Sequence, residues 1–321
     1  MSGPRWLNLY AVLALVLVWA GAAEGAELRT MAPSSSGVLL EWNGGSPQPI
    51  HGVAGGGIRG VVEQSGQGGL VDKRIAGVGY DDVVLQAGFG SGQALFDWIN
   101  SSWLGKSDPA NGAILFCNSM GRCVRKEFMG ATLSEVTVPA LDASSKDKGY
   151  LAVSLHPKGI KLPREVMASP IKVDLLQKPW LAANFRLAID GLDCSQVRKI
   201  DSFTVKQGVK SFPEFPDLQI TMGMKGYEGF RKWFEAFVVS ATDTQERNGE
   251  IIVYAPDLQT VLGKIRLIHL GITGLDYAPS ATASSALAPS PSGIATATAQ
   301  LYCERMELVW GGAGSAITEV K

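Results

Sequence analysis

The chain has 321 residues, with 29 basic and 30 acidic side chains and a formal net charge of -1. That balance excludes a polyelectrolyte attraction to nucleic acid or to a charged membrane surface. An apolar fraction of 46% with 38 glycines points to short strands joined by Gly-rich turns, and the length gives room for two ordinary domains.

Residues 1–26 stand apart. Arg5 precedes a nearly unbroken apolar run from Leu7 to Ala23, which closes on Ala23-Glu24-Gly25-Ala26. Small residues before a break after Gly25 mark a secretory leader, and Ala20 with Ala22 offers an alternative break. The rival reading is an uncleaved anchor, because the run approaches membrane-spanning length, and a membrane is a partner only in that case.

A strand is predicted over 38–42, ending at Asn43-Gly44-Gly45, followed by Gly-clustered β-loops over 46–79. Residues 83–87 read as a strand. A helix follows over 93–104, with Leu95, Trp98, Ile99 and Trp103 along one face. Asn111-Gly112 opens a hairpin over 113–117 and 122–128, and further strands are expected over 133–140 and 150–155. Four prolines between 157 and 180 mark a junction, with the linker at 171–182.

The second half opens with Phe185, Leu187 and Ile189 alternating with Arg186, Ala188 and Asp190, a clear strand pattern. Strands over 203–206 and 218–222 precede a helix over 228–239. There Phe230, Trp233, Phe234, Phe237 and Val238 fall at i, i+3, i+4, i+7 and i+8. Strands are expected over 250–254, 261–269 and 297–308. The stretch 280–292 is nearly pure Ser, Ala, Pro and Thr, whose small side chains cannot repay their ordering entropy, so it reads as a flexible insert.

The two halves share one order: strand, Gly turn, Trp helix, Asn-Gly hairpin. Asp82 leads to Trp98 and Asp217 to Trp233, 16 residues apart in each case, and Asn111-Gly112 answers to Asn248-Gly249. The chain is therefore a tandem duplication, with domains at 36–170 and 183–321. Trp98, Trp233, Phe230 and Phe237 are assigned as helix-to-sheet anchors. Cys117 and Cys123 flank a turn and could close a disulfide across a hairpin. Cys194 and Cys303 lie near the ends of the second repeat, where first and last strands of a sheet could pair, and free buried thiols are the alternative for both pairs. Lone histidines at 51, 156 and 269 and a six-residue Cys spacing give no metal site.

The repeat also weighs the sites that tempt. Gly88-Phe89-Gly90-Ser91-Gly92 sits between strand and helix as in nucleotide fingerprints, but Gln93 stands where the third Gly belongs, and Met222-Gly223-Met224-Lys225-Gly226 loses the motif. Turn glycines, with no cofactor, is the better reading. Gly55-Gly56-Gly57-Ile58-Arg59-Gly60 lacks the following helix of an anion cradle. Asp142, Ser144, Ser145 and His156 suggest a triad, but no strand-and-elbow context supports a nucleophile, and the second copy, with Ser284, Ser285 and Tyr302, has no histidine nearby. Asn100-Ser101-Ser102 matches a glycosylation acceptor, with chance occurrence the default.

Phe185-Arg-Leu-Ala-Ile-Asp-Gly-Leu192, Val205-Lys-Gln207, Lys225-Gly-Tyr-Glu-Gly-Phe-Arg-Lys-Trp-Phe234 and Arg247-Asn-Gly-Glu-Ile-Ile-Val253 resemble the tail-tube protein family of contractile bacteriophages and phage-tail-like particles. Leu40-Glu-Trp-Asn-Gly44, Phe96-Asp-Trp98, Asn111-Gly-Ala-Ile114 and 136–146 repeat the resemblance in a more degenerate form. It implies a mainly β (α+β) fold: two tandem antiparallel β-barrel or sandwich domains, each with one flanking helix. It also implies a structural, non-enzymatic role without cofactor, by self-association through sheet edges and loops into rings that stack. A typical tube subunit is a single such domain with no leader. Two fused domains would let three chains make a pseudo-hexameric ring, and a leader would place the assembly outside the cytoplasm. Two other classes stay open: a secreted two-domain carbohydrate- or surface-binding protein using its Gly-rich loops, and an exported hydrolase using Ser144 or Ser145 with His156.

Overall fold

The computed structural model describes residues 37–67, 70–89, 91–106, 108–118, 122–167, 180–208, 212–240, 246–278 and 295–311. The expected leader, the insert at 280–292 and most of the linker at 171–182 lie outside the described residues.

The chain opens with β1 (Gly37–Trp42), β2 (Gln48–Ile50), β3 (Gly52–Gly55), β4 (Ile58–Gln67), β5 (Leu70–Tyr80) and β6 (Val83–Ala87). The helix α1 (Gln93–Trp103) leads into β7 (Ala110–Cys117) and β8 (Arg122–Val138), then β9 (Leu141–Asp142), β10 (Lys148–Gly149), β11 (Leu151–His156), β12 (Gly159–Ile160) and β13 (Arg164–Met167). The second half holds β14 (Trp180–Leu181), β15 (Phe185–Ile189), β16 (Val197–Ile200), β17 (Phe203–Lys206) and β18 (Leu218–Gly223). It ends with α2 (Met224–Phe234), a π-helical turn at Glu235–Val239, β19 (Arg247–Tyr254), β20 (Val261–Ala278) and β21 (Thr296–Trp310). The protein is mainly β, and these short helices are the only ones among the described residues.

The duplication is written into the sheets. One runs β2-β1-β7-β8-β11-β6-β3 and the other β15-β19-β20-β21-β18-β16-β9. Leaving aside β2 and β9, six strands stand in the same order in both. Even the irregularities coincide. Gly112 faces Phe128 and Ala110 faces Ala131, while Gly249 faces Leu267 and Arg247 faces Leu270, so both hairpins carry a bulge at one place, with an offset of 139 residues along the long strand. A second bulge falls between Leu133 and Glu135 in one copy and between Ile272 and Gly274 in the other, at the same offset. At the first bulge Gly130 has φ 58 and His269 φ 56. The Gly130 amide donates to Asn111 Oδ1 at 2.9 Å, and the His269 amide to Asn248 Oδ1 at 3.2 Å. The Asn of each Asn-Gly pair therefore closes the bulge across its own hairpin.

Alternation decides which face is buried. Leu187 and Ile189 of β15 face the core while Arg186 does not, as the sequence pattern predicts. Each helix lays an apolar stripe on this core. Trp98 packs edge-on against Trp42 at 4.9 Å and donates its indole N–H to the Asp108 carbonyl at 2.8 Å. Trp233 is 2% exposed and contacts Phe230 and Phe237, each ring at 6.4 Å.

Three features differ from expectation. The second helix starts earlier, at Met224, and its last five residues widen into a π turn that leaves Phe237 half-buried and Val238 43% exposed. Among the described residues both sheets are open paths rather than closed barrels. Finally, one continuous core cluster runs through both copies, so they do not sit as separate bodies joined by a linker. The reason is the pairing between copies: open edges in one half are used by strands of the other.

Candidate assembly surface

The junction between the copies is built from sheet edges. The long strand β8 spends its first part on β7, and further on, residues 135–138 on that edge receive β17, with Phe203 opposite Val138 and Lys206 opposite Glu135. The Thr137 and Thr204 hydroxyls meet at 2.8 Å, Ser202 Oγ donates to the Val138 carbonyl at 2.8 Å, and the Gln207 amide donates to the Ser134 carbonyl at 2.7 Å. Beside this, β16 pairs with β9 through Ile200 and Leu141. Gly149 of β10 lies so close under Trp180 of β14 that a Cβ there would stand 2.6 Å from the ring. A glycine is required at that contact.

The first helix works at this junction as much as in its own copy. Buried Ser102 and Gln207 exchange two bonds: Ser102 Oγ with Gln207 Oε1 at 2.8 Å, and Gln207 Nε2 to the Ser102 carbonyl at 3.0 Å. Trp103 meets Phe215 edge-on at 5.9 Å. Asn100 caps the edge of β21: its Oδ1 accepts from the Leu308 amide at 2.6 Å while its Nδ2 donates to the Leu308 carbonyl. With both ends of its carboxamide committed, Asn100 is a clamp rather than a free glycan acceptor. The Trp310 indole N–H donates to the Phe89 carbonyl, and the Phe89 ring sits over Gly263. Backbone edges are satisfied by a neighbouring unit, as strand addition requires.

Among the described residues, other edges have no such cover. Strands β4 and β5 form a two-stranded ribbon apart from both sheets. It exposes Ile58, Val61, Val62, Val71, Ile75 and Val78, from 39% to 67%. A two-stranded ribbon is marginal in water on its own, and an exposed apolar one is suited to pairing.

The tempting sites are dispersed. At the Gly-rich turn, the Ser91 side chain accepts from the Gly88 amide at 3.0 Å and the Ser91 amide donates to the Gly88 carbonyl at 2.9 Å. Gly92 takes φ 99 to enter the helix. Those donors close a turn instead of facing a phosphate; Gly90 lies outside the described residues. Arg59 is paired with Asp81 at 2.7 Å, and the Gly56 amide is spent on the Asp82 carbonyl. The hydrolase set does not assemble. Ser144 donates to Asp142 at 2.6 Å and Ser145 to Asp147 at 3.0 Å, while His156 pairs with Asp82 at 2.7 Å. Strand β11 separates the serine turn from His156 by about 17 Å at the usual strand rise.

Cys117 and Cys123 are bonded across the β7–β8 hairpin. Cys194 and Cys303 are not bonded to each other. Cys303 Sγ lies 3.0 Å from the Arg305 carbonyl and Cys194 has a backbone partner at Ile189, and burial pushes the Cys194 thiol up to about 11 and raises that of Cys303. Such thiols stay protonated and unreactive at neutral pH.

Two charge clusters escaped the sequence reading because their members are far apart in it. On the outer face of the first sheet, Glu127 contacts Lys161, Arg164 and Arg125, and Arg125 forks onto Glu41 at 2.6 and 2.8 Å. Hydrogen bonds from Lys161 and Arg125 hold the Glu127 carboxyl down at about 2. In the second copy Lys264, at the position equivalent to Arg125, pairs with Glu250 at 2.7 Å. It adjoins a groove of about 850 Å³ lined by Arg186, Asp190, Glu250 and Arg266. Elsewhere, His269 lies between half-buried Glu246 and exposed Glu304, at 3.3 and 3.1 Å.

No protein-family model matches the chain, and no curated protein matches it. Solved structures do. A chain of the extended-state sheath–tube complex of PVC, an extracellular contractile injection system, is 22% identical over 43% of this chain and 95% of that one, with a TM-score of 0.36. A chain of the anti-feeding prophage cap, which terminates its tube, is 19% identical over 46% of this chain and 99% of that one, with a TM-score of 0.36. A chain of the baseplate of that prophage is 17% identical over 42% and 95%, with a TM-score of 0.35. The likeness is one of general β-rich fold.

Proposed function

We propose that this chain is a non-enzymatic structural protein that assembles with copies of itself through sheet edges. Each copy of the repeat, with its helix, acts as one tail-tube-like unit. Three chains supply six units and close a pseudo-hexameric ring, and rings stack into a tube. The observation that carries this reading is the unit-to-unit junction inside the chain, where β17 completes the edge of β8 and Asn100 clamps β21. A chain that already joins its own two units by strand addition needs only to repeat that contact to grow, and a head-to-tail contact closes when its rotation divides the circle. The leader at 1–26 directs this assembly outside the cytoplasm. The dispersal of Ser144, Ser145 and His156 speaks against hydrolysis. Light scattering of the purified chain, followed by imaging of particle symmetry, tests the proposal: rings with three-fold symmetry and pseudo-six-fold outline are expected, and a chain that stays monomeric at every concentration refutes it.

A further inference from the structure

Because the copies share strand order and register, the junction inside the chain specifies where its continuation must be. The edge that receives β17 is 135–138 of β8, and the offset of 139 residues along the long strand carries it to 274–277 of β20. There β20 is paired with β21 on one side, while its pairing with β19 ends at Leu270. Among the described residues nothing pairs with the other edge of 274–277, and Tyr277 is 51% exposed. Among the described residues, an edge that is filled in the first copy is open in the second.

The strand that would fill it is also specified. β17 follows β16, whose Ile200 lies opposite Ile220; in the first copy Val53 of β3 lies opposite Leu85, the residue equivalent to Ile220. Moving forward from Val53 as β17 lies from Ile200 leads to residues 56–59, the root of the β4–β5 ribbon. In the second copy that segment adds to the neighbouring unit. In the first it leads into a ribbon with Ile58, Val61 and Val62 exposed. The helices repeat the asymmetry. Trp103, covered by Phe215 of the second copy, corresponds to Val238 in the second helix, which is 43% exposed beside Val239 at 72%. Two features of the first copy covered by the second, the 135–138 edge and Trp103, thus have uncovered equivalents among the described residues of the second copy.

We propose that the occupant is a second copy of this chain, whose residues 56–59 add antiparallel to 274–277 of β20, with Ile58 opposite Leu275 and Arg59 opposite Gly274. The ribbon β4–β5 then runs over the neighbour, and the apolar end of the second helix is covered by the neighbour's first copy. This contact is heterologous, so it propagates or closes rather than stopping at a two-fold dimer. Its placement rests on the self-assembly reading above and assigns that assembly its edges.

The test is cross-linking of the full chain carrying Arg59→Cys and Gly274→Cys, opposite positions at which Cβ atoms come within disulfide reach. A Cβ on Gly274 meets only Gln300, at ordinary contact distance. Oxidation is expected to give covalent oligomers from the double variant and a covalent dimer from the two single variants mixed, with neither single variant linking alone. The unmodified chain supplies a second readout: amides of 271–278 and 58–61 should exchange about tenfold or more slowly in the oligomer than in dissociated chains. Oligomers that neither cross-link at this pair nor protect these amides would overturn the edge assignment while leaving self-assembly standing. A chain that remains monomeric would overturn both.

Discussion

Asn100→Ala should cost more stability than its half-buried, polar position suggests. The carboxamide accepts from the Leu308 amide and donates to the Leu308 carbonyl, so truncation removes two hydrogen bonds at once. Leu308 is 1% exposed, and the edge of β21 there is covered by the first helix, so water does not readily replace the lost partner. A typical hydrogen bond contributes about 0.5–1.5 kcal/mol net, and a buried group left unsatisfied costs about 1–3 kcal/mol, giving an expected loss of about 2–4 kcal/mol. For a chain of 321 residues that is a fall in melting temperature of about 3–6 °C. Asn100→Asp keeps the acceptor for the Leu308 amide but turns an oxygen toward the Leu308 carbonyl, so it should not restore stability. Thermal unfolding followed by circular dichroism, with urea titration of the same variants, makes the measurement. A loss below about 0.5 kcal/mol for Asn100→Ala, in the range of an ordinary surface substitution, would refute the clamp.

Other substitutions separate local from global effects. His269→Gly is expected to be neutral or to stabilise by up to about 1 kcal/mol, because a left-handed backbone costs a non-glycine residue about 1–2 kcal/mol while exposed ion pairs return at most about 1 kcal/mol; a loss above about 1 kcal/mol in urea titration would contradict its equivalence to Gly130. Glu127 has its carboxyl lowered from 4.5 to about 2, so its contribution is present above about pH 4.5 and is lost as pH falls toward 2. Glu127→Gln should therefore cost about 1–2 kcal/mol at neutral pH and flatten the acid limb of the stability profile, an effect absent if the wild type and variant keep parallel profiles from pH 6 to pH 2. Trp233→Ala, at a nearly sealed site, should cost about 3–5 kcal/mol. Phe237→Ala, half-buried on the π turn, should cost about 1–2 kcal/mol, and equal losses at the two positions would contradict the packing described.

Much of the fold was legible because local signals and tertiary roles agreed. The alternation of Leu187 and Ile189, the Asn-Gly pairs at 111 and 248, and the i, i+3, i+4 stripe through Trp233 each name an element and its buried face. The duplication carried further, since comparing copies removed the Gly-rich turn and the Ser/His set as sites. What stayed hidden is what depends on long-range pairing. No pattern in 100–103 reveals that Asn100 and Trp103 serve a contact made some 110 to 210 residues away. The cluster of Glu41, Arg125, Glu127, Lys161 and Arg164 is likewise invisible until adjacent strands bring it together. Val238 shows the converse: its spacing marks it as core, yet its exposure fits an edge waiting for a neighbour.

The central claim is that the chain's internal unit-to-unit contact is also its contact with other chains. Native mass measurement of the purified 34.1 kDa chain, or of its leader-cleaved form, across a range of concentrations tests it most directly. Particles built from multiples of three chains are the predicted result. A single-chain mass at all concentrations, or a closed two-fold dimer, would contradict it.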